Sequence, residues 1–166
     1  MSSQEELTQI AADVAACIDC KLHHSRKHVV PGEGPADADL MFIGEGPGFH
    51  ENEQGRPFVG AAGKFLEELL ASIGLKREDV FIGNVIKCRP PGNRDPQTDE
   101  IEACAKYLKR QIEAINPKVI VTLGRFSMGR YFPGERISVI HGQARVVNER
   151  IIVPMYHPAA ALHQPS

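Results

Sequence analysis

Apolar residues recur along this chain in two different periods, and the periods alternate. Behind Ser3-x-x-Glu6, which reads as a capping box, Leu7, Ile10, Val14 and Cys17 follow at helical spacing, predicting a helix that ends at the first cysteines. A Gly/Pro-rich link at 29–37 leads to Leu40-Met-Phe-Ile43, a short apolar run bounded by turn residues and therefore a buried strand. From Ala61 to Ile73, Phe65, Leu66, Leu69, Leu70 and Ile73 share one helical face, with Gly74 as the stop. Val80 to Ile86 predicts a second buried strand. A helix follows from Thr98 to about Ile115, set between Asp95-Pro96 and Asn116-Pro117. Lys118 to Gly124 is a third strand, with a short helix around Arg125–Tyr131. Ile137 to Val147 predicts an extended pair turning at His141-Gly142. Ile151 to Tyr156 is a last strand, delivering His157-Pro158 at its end.

Strands alternating with helices specify the α/β class: a three-layer α/β/α arrangement around a central, mainly parallel four-stranded sheet. Ligands bind such sheets at the carboxyl ends of the strands. Glu45, Asn84 and His157 all fall there.

Composition narrows the class without deciding the function. With 166 residues, 42% hydrophobic and 24% charged, one domain spanning 1–166 can bury its own core. No apolar run approaches the ~20 residues needed to cross a bilayer. The N-terminus is acidic and polar, unlike a signal peptide. A cytoplasmic, monomeric protein is the expectation, and disulfides are rare in that compartment. The net charge of −2 does not advertise a nucleic-acid binder, so any basic footprint must be local. Lys21–His28 and Lys87–Arg94 are the two candidates, each readable as a solvated loop or as a phosphate contact.

Both basic stretches adjoin cysteines. Cys17-x2-Cys20, Cys88 and Cys104 account for all four cysteines in the chain. A pair followed by two distant single cysteines suits a four-thiolate metal centre joining the N-terminal segment to a loop and a helix in mid-sequence. Spacing alone permits zinc or an iron–sulfur cluster.

The remaining candidate residues are ambiguous one at a time. Gly44-Glu-Gly-Pro-Gly48 reads first as a tight strand-to-helix turn, though glycines also let backbone approach a ligand. Glu45, Glu51 and Glu53 add carboxylates nearby. Phe58, between Gly55 and Gly60, can plug a core edge or stack on a flat ligand. Asn84 lies in an apolar strand, where its amide must be satisfied by backbone or by a ligand edge. A lone His157 is more commonly structural than catalytic.

In combination, the motifs resemble the family 4 uracil-DNA glycosylases, the iron–sulfur branch of the uracil-DNA glycosylase superfamily. The resemblance runs from Cys17 to about Leu162. Its carriers are the cysteines, Gly44-Glu-Gly-Pro-Gly48 with Glu51, Gly55-Arg-Pro-Phe-Val-Gly60, Asn84-Val-Ile-Lys-Cys88-Arg-Pro-Pro-Gly-Asn-Arg94, Ile137-Ser138 with His141-Gly142, and His157-Pro-Ala-Ala160.

The resemblance implies a DNA-repair hydrolase that flips uracil from single- or double-stranded DNA and breaks its N-glycosidic bond. It implies that Cys17, Cys20, Cys88 and Cys104 hold a structural 4Fe–4S cluster. Phe58 would stack on uracil, Asn84 would read its Watson–Crick edge, and His157 would donate to O2, with backbone at Gly46 assisting. Glu45 would position water or stabilise the sugar cation, and Glu51 would act beside the ring and reject thymine. The better-known branch of the superfamily has an aspartate where Gly46 stands here, which leaves the general base open. Lys87, Arg89, Arg94 and His141 would contact DNA, and Leu162 would wedge into the minor groove or simply begin a final helix.

Two departures accompany the likeness. Family members continue past the His-Pro motif into a further helix, which this chain, stopping at Ser166, is expected to lack. The covalent uracil-binding branch has a basic loop with a reactive histidine, whereas Pro90–Pro96 contains none, favouring turnover. A non-catalytic iron–sulfur DNA- or uracil-binding module is the alternative, and a nucleotide-binding zinc protein a third reading.

Overall fold

The first three strands run parallel, each showing one face to each helical layer, and that alternation builds the molecule. In a computed structural model describing the backbone of residues 1–163 and the side chains of 1–160, β1 is Leu40–Gly44, β2 Phe81–Asn84 and β3 Val119–Leu123. Met41, Ile43, Phe81 and Ile120 point to one core. Phe42, Ile82 and Leu123 point to the other. The first core is covered by α1 (Ser3–Ala15) and α4 (Thr98–Ile115), the second by α3 (Ala61–Ser72) through Leu66 and Leu70. Two apolar cores on opposite sheet faces make the three layers expected of the sequence.

The sheet has five strands rather than four, in the order β2-β1-β3-β5-β4. β5 (Arg150–Met155) is parallel to β3, whereas β4 (Arg145–Val147) pairs antiparallel with β5 at the edge. The extended pair expected over 137–147 is therefore half helix: Ile137–Ile140 forms α6, and only 145–147 is strand. Ile137 and Val139 sit two apart and Ile137 and Ile140 three apart, so the short run suits either period. The N-terminal cap is also displaced by one residue. Ser2 accepts from the Glu5 amide, and the Glu5 carboxylate accepts in return from the Ser2 amide.

α4 keeps its expected bounds because Asn116 takes the left-handed conformation (φ 52°) that closes it. α3 does not bury its whole apolar stripe, since Leu69 and Ile73 are exposed. The remaining short helices are α2 (Phe49–Gln54), α5 (Arg125–Met128) and α7 (Pro158–His163). The connection from β1 runs to β2 on one side, and the connection from β2 crosses back to β3 on the other. This makes the carboxyl end of β1 the topological switch point where an α/β sheet opens a crevice.

Candidate active site and cysteine centre

At that switch point lies a cavity of about 760 Å³ lined by Glu45, Gly46, Glu51, Phe58, Asn84 and His157, among others. Glu45 and Gly46 follow β1, Asn84 closes β2 opposite Gly44, and His157 stands two residues past β5. Residues more than a hundred positions apart thus meet because three parallel strands end together.

Asn84 is 2% exposed, and its side-chain oxygen has no hydrogen-bond partner among the described residues. A buried acceptor left unpaired costs about 1–3 kcal/mol, so this atom is poised for a donor arriving in the cavity. Gly44 makes room for it. A Cβ there would stand 2.6 Å from both that oxygen and the Phe58 ring.

Phe58 holds an unusual backbone conformation, φ 49°, worth of order 1–3 kcal/mol of strain for a non-glycine residue. Its loop is gripped from both sides. Arg77 donates to the Phe58 carbonyl at 2.5 Å and to that of Pro57, and pairs with Glu33 at 3.0 Å. Glu51 accepts from the amides of Val59 and Gly60, both at 2.9 Å, and from Gly48 at 3.0 Å. Gly63 must be glycine, because a Cβ would lie 1.8 Å from the Phe58 oxygen. Glu51, expected beside the ring, is thus engaged by three amides and ties two loops of the pocket together.

Burial lowers the His157 pKa, with Glu51 pulling the other way. Its Nδ1 accepts from the Ala159 amide at 3.1 Å, which leaves the proton on Nε2. The ring lies 5.5 Å from that of Phe58 at 25°. Glu45 is shifted upward, chiefly by burial and next by Asp95, with Arg125 opposing. Asp95 and Arg125 pair at 2.6 Å. Sequence reasoning missed both, as it missed Arg77, because each acts across the fold and none belongs to a motif. Gly46 has no space for a side chain, as a Cβ would meet Ile86 at 2.6 Å.

The DNA-contact candidates divide. Arg89 lies at the rim, donating to Asn93 at 2.7 Å with its guanidinium over the exposed Phe49 ring. His141 is exposed beside Tyr156. Arg94 makes two 2.8 Å bonds to Glu100, which is fully buried and held at about 2 chiefly by that arginine. Lys87 is a correction: at 1% exposure it cannot touch DNA, and its ammonium points into the core instead. The Leu162 side chain lies outside the described residues.

The four cysteines line one cavity behind the β2 end, walled by Val14, Leu22, Ile86 and Tyr107. Cys17 and Cys20 flank the end of α1, Cys88 follows β2, and Cys104 is on α4. Arg26 fastens this assembly, donating to the Cys17 carbonyl at 2.8 Å and the Cys88 sulfur at 3.5 Å. Burial raises the Cys88 thiol and pushes Cys104 up to about 11. Four sulfurs, apolar walls and two adjacent cations, Arg26 and Lys87, suit an anionic metal–thiolate group. Among the described residues, no three Cys, His, Asp or Glu side chains gather closely enough to hold a single ion.

Residues 31–166 match the family model of the uracil DNA glycosylase superfamily. The chain belongs to that superfamily. It is 51% identical to the Type-4 uracil-DNA glycosylase of Sulfurisphaera tokodaii, over 98% of this chain and 78% of that protein. The Type-4 enzymes of Archaeoglobus fulgidus (48%, covering 97% and 85%) and Thermotoga maritima (44%, covering 100% and 88%) are similar along the same span. A Type-5 uracil-DNA glycosylase of Pyrobaculum aerophilum is 34% identical over 59% of the chain. The superfamily membership and the α/β fold agree with the sequence reading. No helix among the described residues is long and apolar enough to cross a membrane.

Proposed function

We propose that this protein removes uracil from DNA by hydrolysing its N-glycosidic bond, as the names of its relatives say of them. The observation that carries the proposal is the buried, unpartnered Asn84 oxygen in a cavity at the switch point. Uracil offers an N3–H to that oxygen and an O4 to the same amide's N–H groups. Cytosine reverses both positions, leaving buried polar groups unpaired at about 1–3 kcal/mol each. Phe58, held in its strained loop, is the stacking surface for the flipped base.

As the bond breaks, negative charge grows on the uracil ring. His157, neutral with its proton on Nε2, is the donor for that charge at O2, and a fixed donor in a dry pocket adds catalysis without reorganising. Glu45 is the carboxylate placed to orient water or to face the cationic sugar. The Gly46 backbone approaches the base closely because Ile86 excludes a side chain there. Arg89 and His141 are the phosphate-facing groups in this reading.

Cys17, Cys20, Cys88 and Cys104 are the ligands of an iron–sulfur cluster, which supplies cross-linking and charge but no step of the hydrolysis. Thiols lining a cavity without meeting at one point favour a multi-iron cluster over a single zinc. A brown protein absorbing near ~400 nm would agree, and a colourless zinc-loaded one would not.

The test is incubation with single- and double-stranded oligonucleotides carrying U·G, U·A, T·G or hypoxanthine. Abasic sites at uracil are expected. Binding without strand-specific abasic sites would instead leave a non-catalytic module.

A further inference from the structure

We propose that Phe49, at the rim of the base cavity, is the platform on which an unpaired base next to the flipped uridine stacks, with Arg89 facing that nucleotide's phosphate. This rests on the reading above, in which the cavity takes uracil from DNA.

A single exposed apolar residue is ordinary on a protein surface, but the setting of Phe49 is not. It is 52% exposed and, among the described residues, is the only large exposed apolar side chain that lines the cavity. Its position is pinned. The amide of Gly48, just before it, donates to Glu51 at 3.0 Å, and the same carboxylate takes the Val59 and Gly60 amides beside Phe58. The ring inside the cavity and the ring at its rim therefore hang from one side chain.

The orientation of Phe49 is fixed as well. His50 meets it edge-on, with centroids 5.4 Å apart at 86°, and the Arg89 guanidinium lies over the ring at 5.6 Å. Arg89 is itself steadied by donating from Nε to Asn93 at 2.7 Å, and its terminal nitrogens have no partner among the described residues. A rigid aromatic face beside an unpaired cation matches a nucleotide, the base taking the ring and the phosphate the guanidinium. Polar neighbours such as His50, Arg89 and Asn93 suit that occupant better than an apolar protein partner. Flipping the uridine strips its neighbours of a stacking face, which the Phe49 ring replaces.

The test uses single-stranded oligonucleotides with one uracil and either a normal nucleotide or a tetrahydrofuran abasic spacer immediately 5′ or 3′ of it. The full chain and its Phe49→Ala, Phe49→Leu and Phe49→Trp variants are compared by fluorescence anisotropy and by single-turnover excision over a range of enzyme concentrations. The parent should bind about tenfold more weakly when the spacer replaces the stacked neighbour on one side of the uracil. Phe49→Ala and Phe49→Leu should lose about tenfold in affinity on the normal strand, keep the saturating excision rate and ignore the spacer. Phe49→Trp should restore both affinity and spacer sensitivity. A duplex, in which the neighbouring base is already paired, should show a smaller loss.

A parent indifferent to the spacer on both sides would overturn the platform and leave a protein contact as the ring's occupant. Parental spacer sensitivity in Phe49→Ala would overturn it too, as would a Leu variant that performs as well as Trp. Anisotropy needs no turnover, so a parent that senses the spacer yet excises nothing would sink the uracil-excision reading and leave the platform standing.

Discussion

The cysteine centre and the base pocket lie on either side of the same strand end, yet they are built on opposite principles. The centre is made from sequence landmarks: four sulfurs, two after α1, one in the loop after β2 and one on α4, enclosed by apolar walls. The pocket is made from strained and unpaired groups, with Phe58 at φ 49°, an orphaned Asn84 oxygen and an upshifted Glu45. One region gains stability by satisfying its groups. The other keeps groups unsatisfied so that substrate completes them.

The comparison breaks most sharply at the reading groups. Asn84→Ala and His157→Ala should each reduce uracil excision by roughly 10²-fold or more, with iron content and thermal midpoint near those of the parent. Near-normal rates in both would mean that the pocket has been misplaced. Cys104→Ser is the mirror experiment. It should strip the iron and lower the melting temperature by about 10 °C, since loss of a structural centre costs more than about 4 kcal/mol. DNA affinity should fall with it. Cluster loss with neither change would separate the two regions entirely.

A smaller effect is expected at Arg77, which touches neither the cysteines nor the cavity's reading groups. Arg77→Gln frees the Pro57 and Phe58 carbonyls, so the strained loop can relax. Excision should drop about tenfold while iron content stays constant, as measured by single-turnover kinetics and metal analysis. The smallest and most diagnostic shift is in pH dependence. If the Glu45 carboxylate is the active form, excision falls on acidification with a midpoint above the ordinary 4.5. Asp95→Asn removes a like charge and should lower that midpoint, whereas Arg125→Gln removes an attractive one and should raise it. A profile indifferent to both would take Glu45 out of the chemistry.

How much of this was legible beforehand varies with the kind of residue. Glu45, Phe58, Asn84 and His157 were readable because each sits in a short motif at a strand end, and parallel strands deliver their ends together. Lys87 was misread as a surface cation because a basic residue in a Lys-Cys-Arg-Pro run looks solvated. Nothing local says that its stem turns inward to Asn84 and Gln111. Glu51 was readable as a pocket residue, but three amides from two loops assign it to holding them. Asp95, Arg77 and Arg125 left no signal, since the carbonyls that Arg77 holds and the Asp95–Arg125 pair lie 19 or more residues apart in the chain. The extended pair read over 137–147 was half right: 145–147 is the edge strand β4, whereas Ile137–Ile140 is helix, because four residues carry too little periodicity to choose between the two.

The sequence by itself determined the layer order, the strand-end location of the chemistry, the family and the four sulfurs, because these depend on periodicity, spacing and residue type. Only the tertiary structure decided which polar groups are satisfied and which are left waiting. Hydrogen bonding, burial and charge balance are properties of neighbours in space. Asn84 is poised, Glu51 engaged and Lys87 buried for reasons that lie in other segments of the chain.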